Sequence, residues 1–145
     1  MPVNMELFQG ISGETRDALL KLGQRLHFAA GDALFHQGGA STELILILEG
    51  KVKISRIAPD GSSITLSIIP AGAPIGTLHA VDEMPHTASA TALVPTEVLS
   101  WPLDQMRGIM RNDPVLTANV LAVVARYAAL MIMRLEEVST IPASA

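Results

Sequence analysis

The chain has 145 residues, a length that suits one domain of roughly 100–200 residues. Apolar residues make up 49% and charged residues 17%, so the composition is that of a globular chain with a core and excludes intrinsic disorder. The absence of cysteine excludes disulfide bonds, thiolate metal sites and a cysteine nucleophile. The net charge of −4 makes the chain a poor candidate for binding nucleic acid by itself. The N-terminal segment MPVNMELF has neither a basic region nor an apolar run, so we expect no signal peptide.

A helix followed by short strands is predicted for the first two thirds of the chain. Residues 14–22 have helical apolar spacing, with Ser12 as the N-cap and Gly23 as the stop. The period then changes to that of strands, and turn residues recur about every 8–12 positions, which is typical of an antiparallel sandwich or barrel. Within 51–57 the residues alternate strictly, so Val52, Ile54 and Arg56 share one side. The predicted strands are 24–29, 33–36, 43–49, 51–57, 63–69, 87–92 and 97–101.

The C-terminal part is predicted to be helical, with a short helix at 103–111 and a long one from Asp113-Pro114 to about Val138. The long helix has two apolar stripes. The first consists of Leu116, Val120, Val123, Tyr127 and Leu130, and the second of Leu121, Val124, Ala128, Met131, Leu135 and Val138. An antiparallel barrel covers only one side of a helix on its surface, so we predict that the second stripe packs against another copy to form a homodimer. A single broad face buried in a monomer is the alternative.

The segment 115–133 is also apolar enough to raise the question of a membrane-spanning helix. Arg126 lies near its middle, and a central Arg costs about 2.5–3.5 kcal/mol on insertion scales. We therefore favour a helix packed against protein in the cytoplasm, with no membrane partner. Arg126 is expected to reach out of the dimer seam, and pairing with Asp82 or Glu83 is the alternative.

Several glycines, one turn and the strand lengths agree, in order, with a known barrel. The matching features are Gly31 and Phe35 in GDALFHQGG, Gly50 in LEGKVKI, the PDG turn, and Gly72 with Gly76 in PAGAPIG. From about Leu7 to Val138 the chain resembles the cyclic-nucleotide-binding-domain barrel. It is most similar to the sensor half of bacterial transcription regulators of the cyclic AMP receptor protein/FNR (CRP/FNR) family.

The resemblance implies a mainly β fold with some α: an antiparallel double-stranded β-helix, or jelly-roll barrel, with short N-terminal helices and a long C-terminal dimerisation helix. It divides the chain into a sensor barrel with flanking short helices at 1–112, a dimerisation helix at 113–138 and a truncated hinge at 139–145. The family's helix-turn-helix domain is then absent. Contact with DNA is expected only through that missing domain.

In family members that bind cyclic nucleotides, a Glu holds the ribose hydroxyl and an Arg holds the cyclic phosphate. Here Thr77 stands at the Glu position and His86 at the Arg position, and no Lys or Arg occurs between Ile57 and Met106. A buried phosphate without a cation is strongly disfavoured, so cyclic AMP binding is expected to be weak or absent. Any residual affinity is expected to rise on acidification, because His gains charge below about pH 6.5. The expected ligand-binding residues are Gly76, Thr77, Leu78, His86, Thr87, Ser89, Met131 and Ile132.

Met131 and Ile132 stand near the positions where the family contacts the base, and both are apolar. They suit an apolar or planar ligand, or no ligand. Some family members sense carbon monoxide or nitric oxide through haem held by a His, so His79 is a candidate haem ligand and a haem-based gas sensor is an alternative. The cofactor is otherwise unknown.

The segment HAVDEMPH, residues 79–86, contains two His and two carboxylates that could ligate a metal. Its spacing matches no metal motif, so we expect a solvated loop and no metal. No G-x-S-x-G, Walker A or HExxH pattern is present, and we expect no enzyme activity.

Three functions remain open besides the haem-based gas sensor. The first is the effector-sensing and dimerisation domain of a CRP/FNR-type transcription regulator, binding a small-molecule effector other than cyclic AMP. The second is a cyclic-nucleotide-binding regulatory module of a kinase or channel. The third is a dimerisation scaffold whose pocket is filled by its own side chains.

Overall fold

A computed structural model describes residues 5–82 and 84–139, with only the backbone for 137–139. The side chain of the expected seam residue Val138 is therefore outside the description. So is the hinge-like segment at 139–145, except that Ser139 ends the last helix.

The structure has eight strands, four α-helices and one short 3₁₀ helix in the described part. The 3₁₀ helix is Glu6–Phe8, and the α-helices are α1 (Gly13–Leu22), α2 (Thr77–Val81), α3 (Leu103–Asn112) and α4 (Pro114–Ser139). The strands are β1 (Gln24–Phe28), β2 (Ala33–Phe35), β3 (Glu43–Glu49), β4 (Lys51–Ile57), β5 (Ser63–Pro70), β6 (Pro74–Ile75), β7 (Ser89–Ala92) and β8 (Thr96–Pro102). The seven predicted strands are present, and the two-residue β6 was missed because it is too short to show a period.

The strands form two four-stranded antiparallel sheets, with the orders β1-β8-β3-β6 and β2-β7-β4-β5. The expected fold, an antiparallel barrel with a long C-terminal helix, is confirmed. The central strand β3 is buried on both faces, which explains why its sequence ELILILE is apolar throughout. Its Leu44, Leu46 and Leu48 pack in the cluster shared with the helices. Its Ile45 and Ile47 pack in the cluster between the sheets.

The helices cover one side of the barrel. The indole Nε1 of Trp101, on β8, donates a 2.8 Å hydrogen bond to the carbonyl of Leu19 on α1. On α4, the predicted inner stripe is buried at Leu116, Val120 and Val123, which confirms the side of the helix that faces the core. This stripe positions the next two turns of α4 beside the interior of the barrel.

The start of α4 is tied to the start of α1. The Asp113 carboxylate accepts hydrogen bonds from the backbone N–H of Val115 at 3.0 Å and of Ser12 at 3.4 Å. These bonds satisfy N–H groups that a helix terminus leaves unpaired. A side-chain hydrogen bond from Thr15 is the largest cause that lowers the pKa of Asp113 below its ordinary value.

Replacing Gly50 by Ala is expected to destabilise the fold by about 3 kcal/mol, the combined cost of left-handed backbone strain and overpacking. Gly50 has a φ of 103°, and a Cβ there would lie 2.8 Å from the Pro95 carbonyl oxygen. Gly61 is the matched control, since its φ is 89° but nothing lies within 4 Å of a Cβ. Gly61→Ala is therefore expected to cost only about 1–2 kcal/mol. Urea unfolding measures both; equal losses would contradict the contact at Gly50.

Candidate functional site

A cavity of about 330 Å³ lies between the β4–β5 side of the barrel, α2 and α4. Its lining is mostly apolar, and no Asp, Glu, Lys or Arg occurs among the described residues that form it. The lining residues are Phe35, Ile54, Leu66, Ser67, Ile69, Ile75, Gly76, Thr77, Leu78, His79, His86, Thr87, Ala88, Val124, Tyr127, Ala128 and Met131. The arrangement can enclose a small apolar molecule.

The short helix α2 forms one wall. Gly76 precedes it with a φ of 85°, and a Cβ there would lie 3.0 Å from the Glu43 carbonyl oxygen, so the turn favours glycine. At the other end, Arg107 of α3 donates hydrogen bonds to the carbonyls of His79 at 2.9 Å and Ala80 at 3.3 Å. These bonds fix the position of α2 and give hydrogen-bond partners to carbonyls at its C-terminal end, which have none within the helix.

Two imidazoles stand next to each other in the cavity wall. The rings of His79 and His86 meet edge to face with their centroids 4.9 Å apart. On its other side the His86 ring stacks on Phe35, with a centroid distance of 3.7 Å and an interplanar angle of 8°. The His86 backbone is held by a reciprocal pair of hydrogen bonds, from Gly38 N–H at 2.8 Å and to the Gly39 carbonyl at 2.9 Å. His86 is therefore fixed in a stacked position.

Burial keeps both imidazoles uncharged. It lowers the pKa of His86 to about 4, with the charge of His79 as the smaller cause. It also lowers the pKa of His79, although the Met84 backbone and the Asp82 carboxylate act in the opposite direction. The expected gain of phosphate affinity on mild acidification stays a prediction, and the lowered pKa of His86 argues against it, because the ring is then neutral at pH 5.5.

The structure brings most of the expected ligand-binding residues together. The candidate haem ligand His79 lines the cavity. So do six of the expected ligand-binding residues: Gly76, Thr77, Leu78, His86, Thr87 and Met131.

Two expected ligand-binding residues are not at the cavity. Ser89 alternates on β7 with the buried Ala88 and Ala90, and its hydroxyl accepts a 2.8 Å hydrogen bond from the Gln37 N–H. Ile132 is 58% exposed and is absent from the cavity lining. Their role in ligand binding stays a prediction that the cavity lining does not support, because Ser89 alternates along β7 with the buried Ala90 and Ile132 is exposed on α4.

A family model described as "Cyclic nucleotide-binding domain" matches residues 25–113, which span the barrel and α3. The chain belongs to the cyclic nucleotide-binding domain family. The resemblance noted in the sequence is confirmed, and this cyclic nucleotide-binding domain has the family's two sheets and long helix.

Relatives of this cyclic nucleotide-binding domain include transcription regulators. It is 34% identical over 120 residues to the "CRP-like cAMP-activated global transcriptional regulator" of Mycobacterium tuberculosis, covering 83% of this chain and 54% of that protein. It is 32% identical over 120 residues to the "Cyclic AMP receptor protein" of Thermus thermophilus, covering 83% and 56%. The crystal structure of the Thermus thermophilus catabolite activator protein matches with a TM-score of 0.83 at 30% identity, covering 92% and 63%. The chain thus spans about half the length of these curated relatives.

The second stripe of α4 in this domain is only partly covered. Leu121 is 48% exposed and Leu135 is 64% exposed. The stripe residues that lie between these two leucines in the sequence line the cavity; they are Val124, Ala128 and Met131. Leu130, assigned to the inner stripe, is 45% exposed, so the inner stripe is not buried at this position.

By length and composition alone, Pro114–Glu136 could cross a membrane. This is weak evidence, because its inner stripe packs on the barrel and Arg126 lies within it.

Two arginines occupy positions that the sequence did not predict. Arg126 pairs with Glu6 of the 3₁₀ helix, with Nη1 and Oε2 3.0 Å apart. The Arg126 side chain is half exposed and pairs with a carboxylate, as the alternative expected, but the carboxylate is Glu6 and not Asp82. A helix of three residues gave no signal that could have located this partner. Arg56, just before the stretch without cations, donates a hydrogen bond to the carbonyl of Thr87 at the cavity edge.

No three His, Asp or Glu side chains come together within 5–82 and 84–139. Glu83, part of the HAVDEMPH segment, is outside the described residues.

Proposed function

We propose that the chain is the effector-sensing and dimerisation domain of a bacterial CRP/FNR-type transcription regulator, that it acts in the cytoplasm without catalysing a reaction, and that cyclic AMP is not its effector. One observation carries this proposal. Val124, Ala128 and Met131 belong both to the cavity wall and to the predicted dimer seam. A molecule in the cavity therefore touches the residues that would pack against a second α4.

This overlap supplies a physical basis for signalling. A ligand shifts an equilibrium between two dimer arrangements only if it interacts differently with each. Contact with seam residues gives the effector that difference directly. Rotation of two long helices at their interface would then reposition DNA-binding domains that follow them in the full-length protein.

The chain alone is expected to show no salt-sensitive DNA binding at micromolar concentration. It carries 10 basic and 14 acidic residues, so it lacks the cationic surface that phosphate contacts require. Joining it at the end of α4 to the DNA-binding part of the Thermus thermophilus relative is expected to produce binding. Fluorescence anisotropy with a duplex carrying that relative's site measures both. Binding by the isolated chain, or none by a folded hybrid dimer, would contradict the proposal.

A haem-based gas sensor is the second candidate, and the environment of His79 is the observation that favours it. His79 is 5% exposed, its Nδ1 has no hydrogen-bond partner among the described residues, and the surrounding wall is apolar. If haem were bound, His79 is the residue that would hold its iron, because the residue is buried and its imidazole is neutral. Haem would supply the gas-binding metal, while the propionates would find no cation among the described lining residues.

If the haem candidate is correct, haemin titrated into the chain is expected to give a sharp Soret band. The variant His79→Phe is then expected to lose that band. His27→Phe is the matched control, because His27 is exposed on β1. A spectrum that stays that of unbound haemin would remove this candidate and leave the first.

A cyclic-nucleotide-responsive module of a kinase or channel is less well supported. The described cavity lining has no cation for a phosphate, and the two transcription regulators described above are each more than 30% identical to this chain over 83% of its length. A ligand-free scaffold is also disfavoured, because its own side chains leave about 330 Å³ of the cavity unfilled.

A further inference from the structure

We propose that the effector is an uncharged, largely apolar molecule of about two fused rings, carrying one hydrogen-bonding group that His79 recognises. This inference rests on the sensor function proposed above and adds the chemical class of the ligand. Three properties of the cavity carry it: its charge, its size and its unpaired polar atom.

The charge of the cavity excludes an ionic ligand. The described lining contains no ionisable side chain other than two imidazoles and Tyr127, and burial disfavours the charged form of all three. Two arginines that contact lining residues are engaged with backbone: Arg56 binds the Thr87 carbonyl, and Arg107 binds two carbonyls of α2. A carboxylate or phosphate enclosed here would lose its hydration without gaining a counter-charge, which is strongly unfavourable.

The size and lining favour a bicyclic compound. An apolar cavity of about 150 Å³ can hold benzene, so a cavity of about 330 Å³ has room for a ligand of roughly twice the volume of benzene. The wall presents Leu66, Ile75 and Val124, which would bury the apolar surface of such a ligand. The stacked rings of Phe35 and His86 add a rigid planar element to the same wall.

The polar requirement comes from His79. Its Nδ1 has no hydrogen-bond partner in the described part of the chain and has no surface open to the cavity, so a ligand hydroxyl reaches this atom only when the imidazole turns toward the cavity. An unsatisfied buried polar atom is costly, so a ligand hydroxyl that pairs with the ring gains a hydrogen bond and relieves that cost. A site of this kind discriminates against analogues that lack the hydrogen-bonding group.

Three probes of similar shape test the proposal: 2-naphthol, 2-methylnaphthalene and 2-naphthoate. Ligand-detected NMR titration at pH 7 gives each Kd on the unmodified chain. We expect 2-naphthol to bind about threefold to tenfold more tightly than 2-methylnaphthalene, the value of one net hydrogen bond. The anion 2-naphthoate is expected to bind at least about tenfold more weakly than 2-naphthol.

Two variants test the assignment of His79. His79→Phe keeps a ring of similar shape but has no nitrogen, so it is expected to fold, to retain 2-methylnaphthalene and to lose the preference for 2-naphthol. His27→Phe removes an exposed imidazole on β1 and is expected to keep the preference. A preference that persists in folded His79→Phe would overturn the role of His79.

The remaining outcomes separate this inference from the sensor proposal. Binding of 2-naphthoate as tight as that of 2-naphthol would overturn the uncharged class, and its loss in Arg56→Gln would identify the cation responsible. Failure of all three probes with an intact dimer would overturn the ligand class alone. Binding of 2-naphthol by a chain that is monomeric at every concentration would support the ligand class and contradict the dimeric sensor.

Discussion

Cyclic AMP titrated calorimetrically into the unmodified chain at pH 7.5 is expected to give no saturable heat at micromolar concentration. The position where the family resemblance places the phosphate-binding Arg holds His86, which is buried, stacked on Phe35 and neutral. The ribose-binding Glu position holds Thr77. Hydrogen bonds to charged groups contribute about 1.5–3 kcal/mol each, so losing both anchors is worth roughly 100-fold or more in affinity.

Acidification from pH 7.5 to 5.5 is expected to leave this result unchanged. The pKa of His86 is lowered to about 4, so the imidazolium that could attract phosphate forms only near that pH. Because the folded-state pKa lies below the ordinary value of 6.5, protonation also works against the native structure. Stability contributed by the neutral ring is present above about pH 6.5 and is lost as the pH falls toward 4.

The double variant Thr77→Glu/His86→Arg serves as the gain-of-function comparison. It restores both charges at the family's positions and is expected to give measurable cyclic AMP binding. The control His27→Arg adds the same positive charge on the exposed surface of β1 and is expected to give none. Tight binding by the unmodified chain at both pH values would show that backbone N–H groups hold the phosphate without a cation.

Leu121→Glu/Leu135→Glu is expected to convert a dimer into a monomer at tens of micromolar, as measured by analytical ultracentrifugation. Each Leu buried in a seam contributes about 1.5–3 kcal/mol, and each is present twice in a symmetric dimer. The dissociation constant should therefore rise by more than about 100-fold. These positions test the seam more cleanly than Val124 and Met131, where a new carboxylate would also enter the cavity wall.

The matched control places two Glu residues on a different exposed face of the same helix. Ala122 and Met133 are both exposed, so Ala122→Glu/Met133→Glu changes the charge and apolar surface of α4 without touching the predicted seam. This variant is expected to remain dimeric. A seam variant that stays dimeric while the control dissociates would assign the interface to that other face.

The sequence was most informative where one period persisted over several residues. The strand at 43–49, the strand at 51–57 and the start of α4 at Pro114 were located because alternation, a proline or a helix cap marked them. The glycine before α2, Gly76, was located through the family resemblance.

The details of the site depended on contacts between segments distant in the chain. Ser89 matched a family position by sequence, but alternation along β7 and the Gln37 N–H turn it away from the cavity. The pKa of His86 follows from burial beside His79 and Phe35, which no local pattern encodes. The partner of Arg126 lies 120 residues away, on a helix too short to have a period.

The hydrogen bonds from Arg107 to α2 give the cavity a second mechanical link to α4. Because its guanidinium holds the carbonyls of His79 and Ala80, α2 cannot shift outward to admit a larger molecule unless α3 moves with it or these bonds break. The end of α3 is separated from α4 by Asp113 alone, and that residue also caps α4. Displacing α2 would therefore displace the N-terminal end of α4. A ligand that contacts Met131 would displace the C-terminal half of the same helix. The two displacements act on opposite sides of the buried residues Leu116, Val120 and Val123, about which α4 would pivot.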